Sequence, residues 1–197
     1  MLRAKGLWIF LVGAGVGWGA QQPAWPPDPP FREVQVETRV EDYARRLRTL
    51  YRTAESLAEL GDFEEALRYY DEALHLQRRH RDRRGMSLTL MAIGDTYLFR
   101  MGEPESALEV YAQALQIKRE IKDRKGEPEV LHQMAYAYYV LGRNEEAEHL
   151  YRQVLDLSRK VKHRRAEGNA LNGLGNCLLA RGQAQEALAF YEQALSV

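Results

Sequence analysis

The side chains of this protein that are able to do chemistry are its five histidines, its single cysteine and its 28 acidic residues. His75, His80, His132, His149 and His163 stand at none of the spacings that bring metal ligands together on one helix face or loop. Cys177 lies between Asn176 and Leu178, with no basic pair beside it to lower its pKa and make it a nucleophile. A lone cysteine forms neither an internal disulfide nor a zinc site. The glycine-rich GAGVG at 13–17 sits in an apolar run, without the strand, turn and helix that a phosphate loop needs. The acids recur in a regular pattern instead: Glu64 and Glu65, Glu103 and Glu105, Glu145 and Glu146, then Glu186. That pattern belongs to helix starts. The expected function is therefore non-enzymatic, with no cofactor and no metal.

The densest charge is basic. RRHRDRRG at 78–85 holds five arginines in eight positions, and KREIKDRKG (118–126) and SRKVKHRR (158–165) echo it. The whole chain nevertheless balances 28 basic against 28 acidic residues, so no strong global field steers an anionic partner. What these runs do depends on the elements that carry them.

The first segment reads as an export signal. MLRAK is positively charged, and GLWIFLVGAGVGWGA (6–20) follows without a charge. That run is shorter than the ~20 residues of a spanning helix. A cleaved signal is the first expectation and an uncleaved anchor through 6–20 the second; no cysteine follows to carry a lipoprotein anchor. QQPAWPPDPP then places five prolines between Pro23 and Pro30, the composition of a stiff extended spacer.

Beyond residue 40 one pattern is written four times. GDFEEALRYYDEAL (61–74), GEPESALEVYAQAL (102–115), GRNEEAEHLYRQVL (142–155) and GQAQEALAFYEQAL (182–195) align, with glycines 41, 40 and 40 residues apart. A second block precedes each: LYRTAESLAEL, LMAIGDTYLFRM, LHQMAYAYYVL and LNGLGNCLLAR. Both blocks carry apolar residues at helical spacing, such as Ala66, Tyr70, Ala73 and Leu74. The glycine between them supplies a left-handed helix stop. Each unit is thus a hairpin of helix A and helix B, and a fixed period of this length means stacked units. Small residues mark the crossing of the two helices: Ala54, Gly94, Ala135 and Gly175 on A, and Ala66, Ala107, Ala147 and Ala187 on B. Tyr70, Tyr111, Tyr151 and Tyr191 fill the space beside them. The second unit has one residue too many before Gly102, so its helix end or turn must bulge.

This pattern resembles the tetratricopeptide repeat family, over about residues 47–197. Unit 3 shows Leu131, Met134, Ala135, Tyr138, Gly142, Ala147, Tyr151 and Val154 at the family's offsets, and unit 4 shows Leu171, Leu174, Gly175, Leu178, Gly182, Ala187, Tyr191 and Ala194. Unit 1 departs most, with Thr53 and Ala54 where Leu-Gly is usual. The period exceeds the common ~34 residues. Arg78, Arg119 and Arg159 stand where the turn proline would, so helix B is expected to run on for another turn or two. The resemblance implies an all-α, right-handed superhelical solenoid, similar to the longer-period arrays of kinesin light chains. The expected layout is a signal at 1–20, a linker at 21–32 and a helical extension at 33–46. Hairpin units follow at 47–85, 86–126, 127–166 and 167–197.

The basic runs now fall at the ends of successive B helices. Acids at helix starts and bases at helix ends are what the helix macrodipole favours, by ~0.3–1 kcal/mol each. Stacking would also align three clusters into one edge: Arg78, Arg79, Arg81, Arg83 and Arg84; Lys118, Arg119, Lys122, Arg124 and Lys125; Arg159, Lys160, Lys162, Arg164 and Arg165. Such an edge suits a membrane surface or an acidic protein. Nucleic acid is not expected, because no aromatics interleave the basic residues.

The resemblance further implies a concave face lined by the A helices that takes a peptide or helix. Its expected positions are Tyr51, Arg52 and Glu55, Met91 and Asp95, His132 and Tyr136, and Asn172 and Asn176, none of which the packing pattern requires. Tyr51, Glu55 and His132 break the carboxylate clamp of the chaperone-binding subclass. Val36, Val40, Tyr43, Leu47 and Leu50 extend a helical stripe upstream of unit 1, so either its helix A begins near Glu33 or a short capping helix precedes it. Unit 4 ends without a further covering helix, which suggests self-association or a longer protein. The expected function is an exported scaffold that binds a protein or peptide during assembly of a complex. The alternatives are the regulatory array of a larger exported enzyme, or a membrane-peripheral protein using the basic edge.

Overall fold

The computed structural model describes residues 31–197, with side chains from Val40 onward. The expected signal or anchor at 1–20 and the linker residues 21–30 lie outside the described residues. Phe31 and Arg32, counted above with the linker, already form the first turn of a helix.

Among the described residues eight α-helices follow one another: α1 (Phe31–Leu60), α2 (Phe63–His80), α3 (Arg83–Asp95), α4 (Pro104–Glu120), α5 (Glu127–Val140), α6 (Asn144–Val161), α7 (Arg164–Ala180) and α8 (Ala184–Ser196). No strand occurs among the described residues, and none of their helices is long and apolar enough to cross a membrane. The pairs α1/α2, α3/α4, α5/α6 and α7/α8 form hairpins, and each hairpin packs on the next to make a solenoid. The upstream stripe is not a separate capping helix. It is the first half of α1, and its Tyr43 and Leu47 cover Leu50, Ala73 and Leu76.

The crossing residues pack as their size demands. Ala54, Ala66, Ala107, Ala135 and Ala147 are completely buried, and Tyr111 (0% exposed) and Tyr151 (2%) fill the space between helices. A core tyrosine of this kind buries ~150–250 Å². The A-to-B turns are closed by Gly61, Gly102, Gly142 and Gly182, all in the left-handed region at φ 70–86°. The B-to-A turns use Arg81, Lys122 and Lys162 there instead, at φ 56–57°. A side chain in that region costs roughly 1–2 kcal/mol, so these three turns are held by their surroundings. Asp82, Asp123 and His163 provide part of that hold. Each accepts a hydrogen bond from a backbone N–H three residues on: Gly85 at 2.8 Å, Gly126 at 3.0 Å and Ala166 at 3.2 Å. The single acid of RRHRDRRG is therefore a helix cap, and it also accepts the Tyr43 hydroxyl at 2.6 Å.

The extra residue of unit 2 is absorbed inside a helix. After Asp95, α3 continues through a π-turn, Thr96–Met101, before Gly102 ends it. A π-turn hydrogen-bonds five residues back and so accommodates one more residue than an α-turn.

One expected edge residue is not on the edge. Lys118 is only 3% exposed, and its ammonium donates to Asp123 Oδ2 at 2.7 Å. Gln77 and Ser158 occupy the equivalent places in the neighbouring units, and both are buried. Near its C-terminus, helix B meets the following hairpin, so this one position is enclosed while its neighbours are not.

Candidate functional site

The A helices α1, α3, α5 and α7 carry the expected interaction residues, and the structure brings some of them together. Between α1 and α3 opens a cavity of about 610 Å³, lined by Glu55, Ala58, Glu59, Tyr70, Ala92, Asp95, Thr96, Phe99 and Arg100. A second, of about 240 Å³, lies among α3, α5 and α7 and is lined by residues that include Met91, Glu129, His132, His163 and Arg165. Glu55 and Asp95 thus share one cavity, and Met91 and His132 the other. Tyr136 stands beside the first, its ring 5.5 Å from that of Phe99 and stacked on it. Arg52 lines a separate depression with Thr49, Thr53, Ser56 and Leu57. Asn172 is exposed and lines neither cavity.

Several of these side chains also serve the fold, contrary to the expectation that packing leaves them free. Asp95 Oδ1 accepts the Tyr111 hydroxyl at 2.6 Å and the Gln133 amide at 2.8 Å. Asn176 accepts the Tyr191 hydroxyl at 2.7 Å. The Tyr51 hydroxyl lies 2.5 Å from that of Thr89, which in turn donates to Gln77. A buried hydroxyl without a partner is costly, and Tyr111 and Tyr191 each take an acceptor from the A helix of their own hairpin. Asp95 and Asn176 follow directly after the small crossing residues Gly94 and Gly175, which places each acceptor beside the tyrosine of its own hairpin.

The titratable groups are tuned by burial. His132 has a buried Nδ1 without a partner, and desolvation pushes its pKa down, which keeps the ring neutral. Desolvation raises the Cys177 thiol to about 11, so the thiolate is suppressed at neutral pH. No group of three potential metal ligands occurs among the described residues.

Phe99, Tyr139 and Val140 were not among the expected positions. Phe99 is 52% exposed and Val140 50%, and the Tyr139 ring lies 6.3 Å from that of Tyr136. The signal for Phe99 was the extra residue in LMAIGDTYLFRM: the π-turn changes the register of everything after Asp95, and Phe99 then reaches Tyr136.

The basic edge is partly neutralised. Arg119 pairs with Glu127 at 2.7 Å and Arg159 with Glu167 at 2.8 Å, at matching places in two units. Arg83 pairs with Glu120, and Arg165 with Glu129 at 3.3 Å. Arg78, Arg79, Arg81, Arg84, Lys122, Arg124, Lys125, Lys160, Lys162 and Arg164 are exposed.

Solved structures share this architecture. A putative kinesin light chain from Podosopora anserina is 22% identical, with a TM-score of 0.63 over 77% of this chain and 74% of that one. BtubC from P. vanneervenii is 21% identical, with a TM-score of 0.67 over 81% and 72%. Aspartyl phosphate phosphatase F from Bacillus subtilis is 14% identical, with a TM-score of 0.71 over 86% of this chain and 45% of that one. At these identities the likeness is one of fold. Comparison with curated proteins gives no match. The family profile described as tetratricopeptide repeat matches residues 45–120 and 127–197, and with most of the sequence covered, the chain belongs to the tetratricopeptide repeat family.

Proposed function

We propose that this array is a protein-interaction scaffold that seats a peptide or helix of a partner protein along the face formed by α1, α3, α5 and α7. The observation that carries this is the coincidence, on that face, of two cavities with solvent-exposed apolar and aromatic side chains, Phe99 and Val140 among them. Exposed aromatics beside a concave surface are typical anchors for a partner. The array's role is assembly of a complex rather than chemistry. The charged and then apolar start of the chain, MLRAK followed by residues 6–20, supports a place outside the cytoplasm, in a periplasm, a lumen or at a cell surface.

The test is site-specific photocrosslinking in the native compartment. A crosslinking amino acid at position 136 is compared with one at Glu109, an exposed residue of α4. A discrete partner captured from position 136 and not from 109 is the expected result. Equal, unspecific capture from both positions contradicts binding on this face.

A further inference from the structure

The cavity between α1 and α3 has a chemistry of its own. Three carboxylates, Glu55, Glu59 and Asp95, line it against one guanidinium, Arg100. Glu55 and Glu59 are exposed, and neither forms an ion pair among the described residues. Asp95 is fixed by two donors at Oδ1, which leaves Oδ2 open.

An independent feature lies at the base of the cavity. Tyr70 is 4% exposed and lines the cavity, yet its hydroxyl has no hydrogen-bond partner among the described residues. Of the equivalent hydroxyls, those of Tyr111 and Tyr191 are satisfied by Asp95 and Asn176, while that of Tyr151 has no hydrogen bond among the described residues and lines neither cavity. In unit 1 the equivalent acceptor position holds Glu55, which does not bond to Tyr70. Burial and the nearby carboxylates hold the Tyr70 phenol protonated. The ring is buried, and the hydroxyl oxygen borders the cavity, where an entering donor can reach it. Phe99, stacked on Tyr136, stands at the rim of the same cavity.

An acidic cavity with an unpaired phenol oxygen and an aromatic rim is complementary to a planar cation with several N–H donors. We infer that this cavity takes an arginine side chain of a partner peptide. The carboxylates accept from the guanidinium, the Tyr70 oxygen accepts a further N–H, and the Phe99 ring covers the cation or its aliphatic stem. Lysine satisfies the charge but not the planar fork, so arginine is preferred. The inference rests on the scaffold function proposed above, and it names the chemistry of the segment that is bound.

The probe is an acetylated, amidated seven-residue peptide with one central arginine among alanines and serines. It is titrated into the full chain while the methyl signals of Ala58 and Ala92 are followed by NMR. Ala112 and Ala189, exposed on α4 and α8, serve as controls. Saturable shifts at Ala58 and Ala92 are expected, with about tenfold weaker binding for the citrulline analogue, which keeps the shape and loses the charge. Glu55→Gln with Glu59→Gln should weaken the arginine peptide by about five- to tenfold; both positions are exposed, so folding is spared. Equal binding of the arginine and citrulline peptides overturns the inference. So do shifts only at the control methyls, or tighter binding of free spermidine than of the peptide. The double variant in the crosslinking assay separates the two proposals. Unchanged partner capture from position 136, together with failure of the arginine titration, removes the cation site and leaves the scaffold function standing.

Discussion

Helix α7 contains three glycines that look interchangeable in sequence and are predicted to behave oppositely when replaced by alanine. In a helix interior, Gly→Ala gains about 0.8–1 kcal/mol from backbone entropy and solvation. At Gly168 nothing opposes that gain, because a Cβ there would have only the Ala194 carbonyl oxygen within 4 Å, at 3.9 Å. At Gly173 a Cβ would lie 2.4 Å from Cε1 of Tyr151, a contact about 1 Å too short. Tyr151 is 2% exposed and has nowhere to move. Overpacking of this kind costs about 1–3 kcal/mol, so Gly173→Ala should lie between neutral and about 2 kcal/mol destabilising. Gly175 faces Tyr191 at 2.5 Å, but that ring is only half-buried and can turn outward, losing its bond to Asn176. The expected order of stability is Gly168→Ala, then wild type, then Gly175→Ala, then Gly173→Ala. Urea unfolding with unchanged m-values measures it. In a chain of this size 1 kcal/mol corresponds to roughly 2–4 °C in Tm. Gly173→Ala as stable as Gly168→Ala would refute the close tyrosine–glycine packing on which the hairpin stack is argued.

Three further outcomes are expected. Asp123→Ala should cost about 3–5 kcal/mol, because it strands the buried Lys118 ammonium, whereas Lys118→Met should cost less, because the Asp123 carboxylate is 21% exposed and keeps its bond from the Gly126 N–H; urea curves of both variants decide it. Lys122→Gly should add about 0.5–1 kcal/mol by relieving its left-handed backbone, against the entropy that glycine adds to the unfolded chain; an unchanged or lower Tm contradicts this. The third concerns pH. Burial depresses the folded-state pKa of His132, so below about pH 6.5 the unfolded chain binds a proton that the folded chain refuses. Its effect is absent above that pH, and stability falls as pH drops from there toward the depressed folded value. His132→Gln should flatten this part of the profile between pH 7.5 and 5.5, and an identical slope in both proteins would show that another group carries it.

The sequence by itself determined the helices, their pairing and their order. Those follow from local rules: a 3.6-residue stripe at Ala66, Tyr70 and Leu74, glycine stops at Gly61, Gly102, Gly142 and Gly182, and a repeat that aligns four such hairpins. It also gave notice of the irregular end of α3, since one residue too many must be absorbed somewhere. Tertiary structure alone decided which side chains those helices share. Lys118 reads as one more base in a basic run, yet stacking encloses it, because its depth is set by the next hairpin and not by its neighbours in sequence. Asp95 and Asn176 read as exposed residues, yet each is drawn into satisfying a buried tyrosine hydroxyl sixteen and fifteen positions away. Phe99 came to the interaction face only through the rotation that a π-turn imposes. Helical spacing is a property of consecutive residues, whereas burial and hydrogen-bond completion belong to surfaces that meet only after the array has stacked.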